Sequence, residues 1–110
     1  MDFREVYYPP FSTDEMGLYI KSANGVKAFT VAANDPKKEA DNIVAVLNDN
    51  GGEKYTDLMI FGDCKIITSH ASVLVTRGLG HLIGSEKMLL EDALRLQDEF
   101  IKWTIEKLRK

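Results

Sequence analysis

The chain has 110 residues, 45% of them hydrophobic and 28% charged, with a formal net charge of −3. Those values suit a single domain that buries an ordinary core, and they exclude a chain disordered throughout. The small negative charge gives no electrostatic reason for general nucleic-acid or anionic-membrane binding. The one cysteine, Cys64, excludes an intrachain disulfide and sits outside any CxxC spacing, which suits a reducing, cytoplasmic setting. No stretch approaches the ~20 apolar residues of a membrane span, and the N-terminus has no apolar run of signal-peptide length.

The expected layout is one domain over 1–110, with an extended arm at 1–15, a ββαββα-like body at 16–84 and a helix at 85–110. The arm holds Phe3, Tyr7, Tyr8 and Phe11 around Pro9-Pro10. Two prolines remove two backbone donors and favour an extended path. Four aromatics are too apolar for a free tail, so the arm is expected to lie across its own domain or against a partner.

Asn24-Gly25 then predicts a type I′ turn, in which both central residues take positive φ. Ala23 would face Val26, and counting outward pairs Ser22 with Lys27, Lys21 with Ala28, Ile20 with Phe29, Tyr19 with Thr30 and Leu18 with Val31. That register leaves one face apolar and the other mixed. Asp35-Pro36 opens a helix as N-cap and first helical residue. Ala40, Ile43, Val44 and Leu47 form its apolar stripe, with Lys37 and Asp41 one turn apart on the wet side. Asn48 through Gly52 ends it.

A second hairpin is expected from Leu58–Phe61 and Cys64–Ile67 around Gly62-Asp63. Pairing Phe61 with Cys64 sets Met59 opposite Ile66 and Leu58 opposite Ile67. Both faces are then apolar, which predicts a hairpin more central than the first. Over 69–84, Ala71, Leu74, Val75, Gly78 and Leu82 fit a short helix capped by Ser69, although Val73–Thr76 also reads as a strand and two glycines oppose a helix. From Ser85 to Lys110 the pattern is a long amphipathic helix, with Glu86 early and Lys102, Lys107, Arg109 and Lys110 late, as the dipole favours. Leu90, Leu94, Ile101 and Leu108 form one line, flanked by Leu89, Ala93, Leu96, Phe100 and Trp103. At ~1.5 Å per residue the helix would run about 35–40 Å, more than its own sheet would cover, so part of it is expected to meet a second chain.

Little here predicts chemistry. His70, His81, Asp63 and Cys64 offer no metal-ligand spacing, and Cys64 with His70 is the one conceivable nucleophile pair. The carboxylate pairs Asp14-Glu15, Glu91-Asp92 and Asp98-Glu99 read as solvated faces. No catalytic residue, metal site or cofactor is assigned. Arg77-Gly78-Leu79-Gly80 resembles the Arg-Gly-x-Gly piece of the pyrophosphate-binding turn of GNAT-type acetyltransferases, which would make Arg77, Gly78 and Gly80 contacts for acyl-CoA. The pattern departs from that family in its next small residue, Gly84.

Tyr19-Ile20-Lys21-Ser22-Ala23-Asn24-Gly25 and Ala40-Asp41-Asn42-Ile43-Val44-Ala45-Val46-Leu47-Asn48 resemble small accessory proteins of bacteriophages and prophages. The resemblance implies a non-enzymatic protein that binds and modulates a host enzyme or nucleoprotein complex. The expected fold is α+β in two layers: a four-stranded, mainly antiparallel sheet of two hairpins, packed helices and a long C-terminal helix. The expected role is a protein-interaction or regulatory module, homodimeric through 85–110, meeting partners through Tyr7, Tyr8, Phe11, Leu94, Ile101 and Trp103. A nucleic-acid binder and a small GNAT-like acyltransferase are the alternatives.

Overall fold

In the computed structural model, residues 2–62, 65–75 and 90–110 are described. The elements run from a 3-10 turn (Phe3–Glu5) through β1 (Ser12–Thr13), β2 (Tyr19–Lys21), β3 (Lys27–Ala33), α1 (Pro36–Leu47), β4 (Met59–Phe61), β5 (Lys65–Ile67) and β6 (Ala71–Val75) to α2 (Leu90–Leu108). The α+β class holds, with an antiparallel sheet and a C-terminal helix, but the sheet has six strands rather than four, in the order β1-β2-β3-β6-β5-β4.

The two extra strands have separate origins. The arm adds β1, which pairs with β2 through Ser12 opposite Lys21. The expected helix after Ser69 is instead β6, central between β3 and β5. Its turn is set by Thr68, whose hydroxyl accepts from His70 N (3.1 Å) and Ala71 N (3.0 Å), while Thr68 N–H donates to Ala71 O (2.9 Å). That closed turn reverses the chain, and β-branched Val73 and Val75 favour the strand that follows. The Gly-rich run beginning at Gly78 lies outside the described residues.

The first hairpin reaches its expected register by two compensating departures. Asn24 does not take positive φ; Gly25 does, at 87°. Gly25 N–H donates to Ser22 O (2.9 Å), and Ser22 N–H donates to Val26 O (2.8 Å). The connection is therefore a three-residue loop, a type I turn followed by a left-handed glycine, not a type I′ turn. It shifts pairing by one, so Lys21 faces Lys27. A bulge between Ile20 and Lys21 reverses the shift, leaving Ala28 as the extra residue and restoring Ile20 opposite Phe29 and Tyr19 opposite Thr30.

The second hairpin carries no such compensation. Phe61 faces Lys65, Ile60 faces Ile66 and Met59 faces Ile67, one residue off the expected register. Period-two alternation then puts Ile60 and Ile66 on the helix side and Met59, Phe61 and Ile67 on the other. The hairpin is also not central, since β4 is the outermost strand.

Both helices lie on the sheet face that carries Ile20, Phe29, Val31, Ile66 and Val73, all buried. Asp35 caps α1, accepting from Lys38 N, with Pro36 at the start and the expected Lys37–Asp41 pair (3.0 Å) outside. Ala40, Ile43, Val46 and Leu47 are its buried residues. On α2 the buried apolar side chains include Ala93, Leu96, Phe100, Ile101, Ile105 and Leu108. The flank expected to widen the stripe is thus its centre. Phe100 stacks on Phe29 (5.1 Å between ring centroids), tying helix to sheet.

Candidate interaction surface

The residues expected to meet a partner divide sharply. Tyr7 and Phe11 are buried and stack on Phe100, with centroids at 4.2 and 6.0 Å. Asn48 holds the arm there, its Oδ1 accepting from Phe11 N (2.7 Å) and its Nδ2 donating to Phe11 O (2.9 Å). Ile101 is buried beside them, and Trp103 is half-buried against Phe3, Phe11 and Phe100. These aromatics complete the chain's own core and cover much of the apolar helix surface that was expected to meet a second chain. Tyr8 and Leu94 alone of the expected set are exposed.

Among the described residues the principal exposed apolar surface lies elsewhere. Met59, Ile60 and Phe61 of β4 are 57%, 49% and 65% exposed, and Leu74 of β6 is 37% exposed. β4 pairs only with β5 among the described residues, so its outer backbone groups have no strand partner among them. Cross-strand pairing lines up Phe61, Lys65, Leu74, Thr30 and Tyr19 as one row over five strands on the face away from the helices. At ~4.8 Å per strand that row spans about 19 Å. Beside it lie Met59 and the half-buried Ile67 on the same face.

Charge on this face is one-sided. Its strand positions carry Lys21, Lys27 and Lys65 and no carboxylate. Lys21 stands directly opposite Lys27, a like-charge pairing that costs stability in a sheet. The Lys27 ammonium sits over the Tyr19 ring at 4.1 Å, which confirms their shared face. None of the three lysines forms an ion pair among the described residues, whereas Lys37, Arg95, Lys102 and Lys107 each do.

A concavity of about 700 Å³ lies between α1 and the segments around Tyr55 and Ser69, lined by Glu39, Asn42, Tyr55, Asp57, Ser69 and His70 among others. Its polar groups bind one another. The Tyr55 hydroxyl donates to Glu39 Oε2 and accepts from Asn42 Nδ2, both at 3.1 Å. Asn42 also brackets Glu53 through its backbone N–H and carbonyl. Burial, reinforced by the Glu39 charge, pushes the Tyr55 hydroxyl up to about 12. Hydrogen bonding from the Ser69 side chain, helped by the His70 charge, holds the Asp57 carboxyl below its usual range. No hydrogen bond joins Ser69 to His70 among the described residues, the link that base activation of a serine uses. No three of His, Cys, Asp and Glu gather to hold a metal among the described residues.

Asp63, Cys64, Arg77, Gly78, Gly80 and His81, which carried the nucleophile and acyl-CoA readings, lie outside the described residues. Sequence reasoning missed the β4 surface, because its exposure follows from the strand order and that order depends on β6. No helix among the described residues is long and apolar enough to cross a membrane. In comparisons with known proteins, no family model, no curated protein and no solved structure matches the chain.

Proposed function

We propose that the chain is a protein-interaction module that docks another polypeptide on the β4 edge and the adjoining open sheet face. The observation that carries this reading is the exposure of Met59, Ile60 and Phe61, consecutive large apolar side chains on the strand that ends the sheet among the described residues. Edge strands are usually blunted by charge, proline or cover, and an unblunted one serves as a template for pairing. Tyr8 and Leu94 are exposed and remain candidate peripheral contacts. The phage-accessory resemblance fits a non-enzymatic role against a larger cytoplasmic enzyme or nucleoprotein complex.

The nucleic-acid alternative draws on the same lysines. Base stacking uses successive free aromatic faces, however, and here Phe61 offers one, Tyr19 is already covered by Lys27, and Met59, Ile60, Ile67 and Leu74 are not aromatic. The surface suits side chains better than bases.

A photo-crosslinking phenylalanine analogue at position 61 tests the proposal in lysate of the native host, with the same analogue at exposed Glu106 as control. A discrete polypeptide adduct formed from position 61 and not from 106 is expected. Adducts equal at both positions, or adducts to nucleic acid alone, overturn it.

A further inference from the structure

We infer that the polypeptide segment accepted by this surface is acidic as well as apolar. The inference rests on the interaction reading above and adds the chemical class of the partner. Its basis is the charge pattern of the open face. A chain of net charge −3 places three lysines and no carboxylate at the strand positions of one sheet face. Two of them oppose each other directly across β2 and β3, where mutual repulsion costs stability unless an anion lies near. The third, Lys65, is set between Phe61 and Leu74 in the cross-sheet row.

The row therefore reads aromatic, cation, aliphatic, hydroxyl, aromatic from β4 to β2. A segment laid along it meets apolar contact at Phe61, Met59 and Leu74, and cationic contact at Lys65 and, near Tyr19, at Lys27 and Lys21. An extended segment of about six residues, at ~3.3 Å each, covers the ~19 Å span. Carboxylates interleaved with apolar side chains match both features, whereas a basic segment of equal hydrophobicity meets like charge at each lysine. Such juxtaposition is a strong source of discrimination between partners. A second copy of this chain is a poorer fit, because the same face would bring its own lysines against these.

Selection of random dodecapeptides displayed on phage against the immobilised full chain tests the inference. The counter-selections are Lys21→Glu/Lys27→Glu/Lys65→Glu and Met59→Ser/Phe61→Ser/Leu74→Ser. Recovered peptides are expected to combine Asp or Glu with apolar residues. A synthetic copy of the most frequent one should lose about tenfold or more in affinity on either variant, a change of ~1.4 kcal/mol or more. Should the lysine variant fail to fold by circular dichroism, the affinity of that peptide for the wild-type chain must still fall as salt rises.

Apolar peptides without acidic excess, sensitive to the serine variant and not to the lysine variant or to salt, overturn the acidic inference and leave the interaction reading standing. Enrichment no greater on the wild-type chain than on the serine variant overturns both. Lysine-dependent retardation of a single-stranded oligonucleotide without peptide selection also overturns the inference. So does self-association in light scattering that the serine variant abolishes, when no peptide is selected.

Discussion

Tyr7 lies flat on Phe100, with ring centroids 4.2 Å apart and planes within 7°. The arm that reads as adhesive in the sequence is thus a structural strap, with Phe3, Phe11, Phe29 and Trp103 grouped around the same ring. Tyr8, the next residue, points outward. Replacing Tyr7 by Ala removes a buried aromatic and should cost ~3 kcal/mol or more. Tyr8→Ala should stay within about 0.5 kcal/mol, as surface changes usually do. Urea denaturation of the two variants checks this, and equal losses would mean the strap is not part of the core.

How much of this was legible in the sequence follows from the range of each interaction. The α1 cap at Asp35-Pro36 depends on neighbours a few residues apart and can be counted, whereas the Ile20–Phe29 pairing matches the count only because a bulge cancels the shift made by the loop. β6 depends on Thr68 closing a turn and on burial between β3 and β5, so its helix-like spacing misleads. The exposure of Met59 and Phe61 needs the strand order, which no local pattern encodes. Nor does the sequence reveal that Lys21 opposes Lys27, because that pairing follows from the three-residue loop that stands where a type I′ turn is expected.

Alkaline pH should destabilise the fold through its tyrosines. Burial raises the Tyr7 hydroxyl above its ordinary value, and burial together with Glu39 raises Tyr55 to about 12. A folded-state pKa above the unfolded one favours the neutral hydroxyl in the native chain. Stability is therefore complete below pH ~10 and declines as pH rises through the window up to about 12 for Tyr55, where the unfolded chain ionises first. Urea midpoints across that window should fall less steeply for Tyr55→Phe than for the wild type. Parallel curves would show that Tyr55 ionises normally.

Gly17 and Gly25 separate two reasons for needing glycine. Both have positive φ, 72° and 87°. A Cβ at Gly25 meets open space, whereas one at Gly17 runs into the backbone of Pro36 and Lys37 at the start of α1. Gly25→Ala should cost only the left-handed term, ~1–2 kcal/mol. Gly17→Ala adds a clash that no rotamer relieves and should cost clearly more, with α1 displaced from β1 and β2. Thermal melts of the two variants give the difference, and equal losses would show that the α1 terminus yields freely.

Gln97 presents the one buried side-chain polar atom without a hydrogen-bond partner among the described residues, its Nε2. The amide lies near the Tyr7 hydroxyl, close enough to favour its ionised form and opposing the effect of burial, yet outside ordinary hydrogen-bond geometry. An unsatisfied buried donor carries a penalty of ~1–3 kcal/mol. Methionine has nearly the same length and no donor, and its flexible thioether can occupy the volume of the amide. Gln97→Met should therefore raise stability by about 1 kcal/mol, visible as a higher urea midpoint at unchanged slope. A lower midpoint would mean that the amide is satisfied in solution, with Tyr7 or a bound water as its partner. Gln97→Met combined with Tyr7→Phe distinguishes the two. Non-additive losses identify the Tyr7 hydroxyl as the partner, and additive ones identify water.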